Sequence, residues 1–505
     1  MADGTRSIWM DTIPDVVRYP RLQQHAAADV VVIGAGQAGL AAAYSLAREG
    51  ASVVLLDRVQ PGGGESGRTS AHLTAWIDDG LDLMTREHGA EAARLAAESH
   101  GAAVDWIEEV ARREGIECGF RRIPAYLFSV HDDRRKRLEA ERDACVAAGI
   151  RASLDTQPLY DPFGHELALR MDDQATYHPL RFLHGLARAA SAAGVTIHGD
   201  TFVTEVESGN DTVTVTTRGG AKVEARACVV ATCTPFTDYV NAHLKQAPYR
   251  TYVITLAVEP GSIPDAMYFD DEDPYHYCRL IREADEREYL IVGGEDHKCG
   301  QAQDGTERLD RLESWARAHF NGRGERTHGW SGQVFEPADG LGMNGRQPDK
   351  EHVYMITGDS GDGLTNGVAG ARLVIDLIRG RANPLEGVYD PARTPRSLTE
   401  AALENLNVAK VFALDRLTAG MGTSLDDLAP GTGRVVRRKG GAVAAYRAPD
   451  GTLHECSALC THMRCVVHWN PLESSWDCPC HGSRFSATGE VMMGPAVGDL
   501  EEPET

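Results

Sequence analysis

Long apolar runs are missing from this sequence. No stretch approaches the roughly 18 consecutive apolar residues that a membrane helix needs, so no membrane association is expected. Positive charge is scarce too: 51 Lys and Arg stand against 74 Asp and Glu, a formal net charge of −23. A surface of that sign repels nucleic acid and anionic membranes and favours solubility; it does not identify a substrate. Met1 to Ala28 has no apolar core and carries Asp3, Arg6, Asp11, Asp15, Arg18 and Arg21. No secretory signal is expected there, and the cytoplasm is the expected compartment. Internal repeats and low-complexity tracts are absent. The 505 residues, 42% hydrophobic and 25% charged, are enough for two or three ordinary globular domains.

Asp29-Val-Val-Val-Ile-Gly34 has the β-branched, apolar character of a buried parallel strand. Gly34-Ala-Gly36-Gln-Ala-Gly39 follows, then an Ala-rich helix from Leu40 to Glu49 closed by Gly50. Ser52-Val-Val-Leu-Leu-Asp57 is a second strand ending in an acid. This βαβ order is that of a dinucleotide fold. Gly34 permits the tight turn, Gly36 lets a pyrophosphate approach the backbone, and Gly39 lets helix pack on strand. Asp57 can accept from ribose hydroxyls. The motif alone does not distinguish FAD from NAD.

Three further segments narrow the choice: Tyr177-His-Pro-Leu180 with the helix Arg181 to Ala193 and Thr201-Phe-Val203; Ala227-Cys-Val-Val-Ala-Thr232; and Tyr354-Met-Ile-Thr-Gly358-Asp-Ser-Gly361-Asp-Gly363-Leu-Thr365 before the helix Gly367 to Arg379. With the first motif they resemble the D-amino-acid-oxidase-like, or glycine-oxidase-like, FAD oxidoreductases. The resemblance implies FAD contacts at Gly34, Gly36, Ala38, Gly39, Asp57, Arg58, Thr69, His72, Val203, Thr232, Gly358, Asp359, Gly361, Gly363, Leu364 and Thr365. It implies that the turn after Thr357 and its helix N-terminus sit against the flavin, where they favour negative charge on the reduced ring. Some relatives attach flavin covalently to a histidine in the loop that here carries His72; a non-covalent contact and an inert loop histidine are the alternatives.

The stretches between these pieces are expected to form a substrate domain, with one or two helices over Asp82 to Glu114 and antiparallel strands over Tyr249 to Glu259 and Ala266 to Gly294. Amino-acid oxidases of the family place a carboxylate-binding arginine before a Pro-x-x-Asp stretch. Here Phe335 and Glu336 stand before Pro337-Ala-Asp339, so an amine lacking a carboxylate, or a larger metabolite, is the expected small-molecule substrate. His72, Tyr277 and Arg279 are the candidate catalytic residues, with Arg279 a candidate anion holder.

Of eleven cysteines, six are scattered, and Cys456, Cys460, Cys465, Cys478 and Cys480 crowd together. Cys460-Thr-His462 and Cys478-Pro-Cys480-His481-Gly-Ser483 each offer one Cys and one His to a common site. Two thiolates on one iron and two imidazoles on the other make a Rieske [2Fe–2S] centre, with Cys460, His462, Cys478 and His481 as ligands. Tetrahedral zinc is the alternative such a set allows. The pair of motifs resembles the cytochrome-bc-type Rieske domain. That resemblance implies a Cys465–Cys480 disulfide, a Ser483 hydrogen bond to a bridging sulfide, and a covering loop at Gly494-Pro-Ala496. Phe485 stands where the subfamily often has a sulfur-bonding Tyr, so the potential is expected inside the Rieske span of about −150 to +300 mV but below its upper end. Cys456 reads as a structural thiol.

The expected architecture is therefore an α/β FAD-binding Rossmann-like domain with an α+β substrate domain, plus a small all-β Rieske domain. The expected boundaries are 1–390 for the flavin part (28–80, 150–235 and 340–390 FAD-binding; 81–149 and 236–339 substrate domain), 391–425 for a helical linker capped by Ser397, and 426–505 for the Rieske domain. Thr418 to Thr423 reads as a flexible link. The two cofactors suggest amine oxidation at FAD with electrons relayed through the cluster to an external redox partner. Reverse flow from the cluster to the flavin, and a plain oxidase with a docking or sensing Rieske domain, are the alternatives.

Overall fold

Ala26–Ile33, the apolar run before the glycine turn, is the central strand of an eight-stranded sheet in the computed structural model. The model describes residues 4–13, 16–237, 240–283, 285–321, 324–421 and 424–503; Asp3, Asp15 and the Gly422–Thr423 end of the link lie outside them. Val53–Leu56 and Thr196–His198 extend the sheet in parallel on one side, and Lys222–Val230 and Val353–Thr357 on the other. The helices Gln37–Arg48, Pro179–Ala192 and Gly363–Ile378 cover one face in a core that includes Leu40, Leu183 and Val368. Val203–Ser208 and Val213–Thr217 form an antiparallel flap whose Val203, Val206 and Val215 cover the other face. Val30–Ile33 and Val53–Leu56, buried on both faces, are continuously apolar.

A nine-stranded sheet forms the second unit, in the order Arg326–Pro337, Gln246–Val258, Glu288–Lys298, His276–Arg282, Met267–Asp270, Arg121–Phe128, Ala168–Thr176, His72–Leu73, with Ala152–Asp155 beside Ala168–Thr176. This shifts two of the expected boundaries. His72–Leu73, Ala152–Asp155 and Ala168–Thr176 pair into the substrate sheet, and the chain rejoins the flavin sheet at the Pro179 helix. The physical reason is strand pairing: Arg121–Phe128 has an antiparallel partner only in Ala168–Thr176. Asp82 to Glu114 forms two helices, Leu81–His88 and Ala90–Arg113.

Ser397 caps the linker helix Leu398–Thr418, its Oγ accepting from Glu400 N at 3.3 Å. Beyond it stand two small antiparallel sheets. Thr432–Arg438, Gly441–Arg447 and Leu453–Ser457 form one; His468–Asn470, Ser475–Asp477, Arg484–Ser486 and Val491–Met493 form the other. Among the described residues no helix is long and apolar enough to cross a membrane.

Candidate functional site

The glycine turn is built before anything binds to it. Gly34 has φ +103°, and a Cβ there would overlap the carbonyl oxygen of Ala231. Asp57 locks the turn: its carboxylate accepts from Ala35 N and Val59 N, each at 2.7 Å. Burial pushes its carboxyl up, and those two N–H groups oppose the shift. Next to the turn, Gln37 Nε2 is buried without a hydrogen-bond partner among the described residues, a donor left for a ligand.

A cavity of about 1030 Å³ opens from this turn. Gly34, Gly36, Ala38, Asp57, Arg58, Thr69, His72, Val203, Thr232, Asp359, Gly361, Gly363 and Leu364 all line it. Two helix N-termini, at Gln37 and Gly363, contribute to its walls and turn the positive ends of their dipoles toward it. These features fit FAD. Three residues of the expected contact set stand behind the wall instead. Gly39 packs against Gly34, where a side chain would meet the Gly34 carbonyl; Gly358 turns against Pro337; Thr365 Oγ1 lies 3.2 Å from Asp362 O and 3.4 Å from His100 Nδ1.

The far end of the cavity belongs to the substrate sheet. His72 lies between Phe269 and Tyr277, with ring centroids 5.5 and 5.4 Å away. Burial, aided by Arg279, lowers its imidazole to about 3, so it is neutral at physiological pH. Tyr277 Oη lies 2.9 Å from Thr251 Oγ1, and burial pushes the phenol well above its usual range. Arg279 corrects the sequence expectation. Its guanidinium donates to Ser70 O at 2.6 and 3.0 Å and to Leu280 O at 3.1 Å, beneath the Ser70–His72 loop and over the Trp9 ring. Three of its N–H groups are spent on backbone carbonyls and it does not line the cavity, so it is not placed to hold a substrate anion there. His276 also turns away, stacked on Trp315 at 4.1 Å.

Carboxylates that the sequence reading did not single out take that place. Tyr275 Oη donates at 3.3 Å to both Asp78 and Asp296, on the cavity wall. Burial raises Asp296 to about 6, and burial with Asp79 and Asp296 nearby raises Asp78 to about 7. Asp296 Oδ1 is buried with no hydrogen-bond partner among the described residues. Asp78 and Tyr275 also line a second chamber of about 780 Å³, together with Asp79 and Glu336. Among the described residues none of Asp78, Asp79, Asp296 and Glu336 has an ion-pair partner within 4.0 Å. The only sequence signal was the Asp78-Asp79 doublet; Asp296 and Glu336 arrive from distant strands.

In the C-terminal unit the two motif loops meet. Cys465 and Cys480 form a disulfide, S–S 2.04 Å. Cys460 and Cys478 are buried side by side, and the His462 and His481 rings lie 5.1 Å apart. Pairing with Cys478, the N–H groups of His462 and Met463 and the Ser483 hydroxyl hold the Cys460 thiol down to about 7. N–H groups of Cys480 and His481 point to Cys478. Among the described residues His481 Nδ1 is buried with no hydrogen-bond partner, as suits a metal-ligating nitrogen. Two thiolates in a nest of donors opposite two imidazoles fit a [2Fe–2S] cluster. Cys456 is a buried structural thiol whose Sγ contacts Ala444 O at 3.7 Å.

The cluster loops pack on the flavin part. Gln333 Nε2 donates to Gly482 O at 2.8 Å, beside His481. His243, from the flavin part, stands 5.1 Å from the His462 ring and 5.5 Å from the His481 ring. The covering loop reaches the flavin cavity: Met493, Gly494 and Ala496 line it, and Ala496 N donates to Ser483 Oγ at 3.0 Å. Neither His243 nor Gln333 carried any local sequence signal.

Comparison with known proteins agrees with this anatomy. A family model described as FAD dependent oxidoreductase matches residues 29–377, and one described as Rieske [2Fe-2S] domain matches 422–504. The chain is 30% identical over 496 residues to the Rieske 2Fe-2S iron-sulfur protein YhfW of Bacillus subtilis, covering 97% of this chain and 96% of that one. It is 26% identical over 402 residues to gamma-glutamylputrescine oxidoreductase of Escherichia coli, covering 76% of this chain and 91% of the relative. The glycine oxidase of Geobacillus kaustophilus shares the fold with a TM-score of 0.60 at 19% identity, over 73% of this chain and 99% of that one. The chain belongs to the FAD dependent oxidoreductases of the D-amino-acid-oxidase type and carries a C-terminal Rieske [2Fe–2S] domain.

Proposed function

We propose that this chain oxidises a carbon–nitrogen bond of a cationic amine and passes the electrons through its own cluster to an external acceptor. The observation that carries the relay is the shared wall: residues of the Rieske domain line the flavin cavity, while His243 of the flavin part packs on both cluster histidines. Bound flavin takes a hydride equivalent and a bound cluster carries one electron at a time.

This chain's own residues prepare the amine. With Arg279 turned onto Ser70 O outside the cavity and the wall built from Asp78 and Asp296, the site suits a cation without a neighbouring carboxylate. Asp296, raised to about 6, accepts the ammonium proton near neutral pH. Phe269 and Trp76 close the apolar side of the cavity and exclude water around the reacting carbon. The α C–H bond then breaks as two electrons and its hydrogen leave together. A further N–H proton is lost, and water converts the imine to carbonyl and free amine. Each turnover exports two electrons singly to a separate redox partner. The relationship to gamma-glutamylputrescine oxidoreductase, whose name specifies an amine derivative, supports this class. The cytoplasm, expected from the sequence, remains the compartment of this reading.

The test is an anaerobic titration of the holoprotein with amines, following flavin absorbance and the reduced-cluster EPR signal together. Bleaching with a growing cluster signal is expected. Bleaching with a cluster that stays oxidised overturns the relay; no bleaching with any amine overturns the amine assignment.

A further inference from the structure

His243 is an unusual residue to find where it is. It is 7% exposed, on the short helix Val240–Lys245, and three imidazoles meet there edge to face: His243 with His462, His243 with His481, and the two ligands with each other. A leucine would fill the same space with more apolar contact and no polar group to desolvate. The imidazole is also oriented, because its ring N–H donates to Pro235 O.

Pro235 ends a segment that begins at the flavin site. Thr232, Cys233 and Thr234 line the cavity. Hydrogen bonds fix that segment: Thr232 Oγ1 donates to Thr234 O at 2.7 Å, and Thr357 Oγ1 to Cys233 O at 2.6 Å. From Thr232 to the cluster ligands the route is three peptide units, one hydrogen bond and one ring contact. Electron tunnelling decays far less steeply through bonds and hydrogen bonds than across open space, so a held path of this kind is worth more than mere proximity.

We propose that His243 is the positioning residue that couples the histidine edge of the cluster to the flavin site of the same chain, through Pro235 and the Thr232–Thr234 segment. The inference rests on the intramolecular relay proposed above. The step it serves moves one electron from reduced flavin to oxidised cluster, with no bond made or broken. The loop at Gly494–Ala496 gives a second contact between the same two sites, so loss of His243 slows transfer without abolishing it.

The test uses the full chain loaded with both cofactors and needs no amine. The bound flavin is photoreduced anaerobically and the cluster is followed by absorbance and EPR in wild type, His243→Ala, His243→Phe and His243→Gln. His243→Ala and His243→Phe are expected to slow transfer severalfold, because each removes the hydrogen bond that links the ring to Pro235 O. They should also shift the g-values of the reduced cluster. His243→Gln, which can still donate to Pro235 O, should recover most of the rate. Iron content and thermal midpoint establish that each variant is folded and loaded; if His243→Ala loses its cluster, the Phe and Gln variants decide. Rates within twofold of wild type in both His243→Ala and His243→Phe would overturn the assignment of His243 while leaving the relay standing. A wild-type cluster that never receives an electron from the photoreduced flavin overturns the relay, and this inference with it.

Discussion

Arg68 and Glu473 are 405 residues apart in the chain and 2.6 Å apart in space. The pair ties the flavin loop to the Rieske domain, and it does not stand alone. Arg68 also donates to Ser331 O at 2.6 Å and Thr5 O at 2.9 Å, while Glu473 accepts from Ser331 Oγ at 2.5 Å and lies 3.6 Å from Arg250 and 3.9 Å from Arg484. Glu473 is buried and Arg68 mostly so, with side chains 3% and 13% exposed. Desolvation of such charges is costly, and only a saturated network offsets it.

Glu473→Gln should therefore be strongly destabilising. It leaves Arg68 and the fully buried Arg250 without their counter-charge, a loss of about 3–5 kcal/mol, read by chemical denaturation of the holoprotein. Burial alone would raise the Glu473 carboxyl, but Arg68, Arg250 and Arg484 outweigh it and hold it down to about 2 from an ordinary 4.5. A depressed folded-state value means the contribution is fully present above pH 4.5 and is lost as pH falls toward 2, about 3 kcal/mol in all. The variant should show a flatter stability profile across that window.

Gly482→Ala should damage the docked cluster loop. Gly482 has φ +77°, and an added Cβ would lie 2.7 Å from Pro248 Cβ and overlap the Gln333 side chain. Because Gly482 follows the ligand His481, the expected result is loss of iron and of the visible cluster spectrum, with flavin content retained. Normal iron content in the purified variant would show that the loop is free to move.

Asp57→Ala should release FAD. The carboxylate organises the turn through Ala35 N and Val59 N and faces the cavity where ribose hydroxyls can donate. Losing a charged acceptor of this kind costs about 1.5–3 kcal/mol, or roughly a 10- to 150-fold weaker FAD complex. Flavin retention through gel filtration, and the dissociation constant of added FAD, measure it.

The rate of flavin bleaching by an amine should rise with pH through about 6, the value to which burial raises Asp296. A base works only when deprotonated, so the acidic limb reports its loss of a proton. Asp296→Asn should remove that limb and slow bleaching by about 10²- to 10⁴-fold, the usual worth of a positioned base. An unchanged acidic limb in the variant would assign the proton elsewhere. In the same assay a simple α-amino acid should bleach the flavin less readily than an amine of equal length.

Local chemistry determined much of this protein from the sequence alone. Gly34, Gly36, Gly39 and Asp57 are bound by the covalent spacing of one βαβ unit, so their roles follow from order and composition. The cluster ligands follow from two short motifs that each offer one Cys and one His, and the Cys465–Cys480 pair from the resemblance of those motifs to the cytochrome-bc-type Rieske domain. Three things were decided only by the tertiary structure. Arg279, which looked available on its strand, is capped by the Ser70 carbonyl from a loop 209 residues earlier in the chain. The acidic wall of the cavity assembles from Asp78 and Asp296, neither of which has a motif. The seating of the cluster on His243, Gln333 and the Arg68–Glu473 network depends on which surfaces two domains bury against each other. Periodicity and spacing report what a residue does to its near neighbours; a contact between positions hundreds of residues apart exists only once the sheets have packed and the charges they bury have found partners.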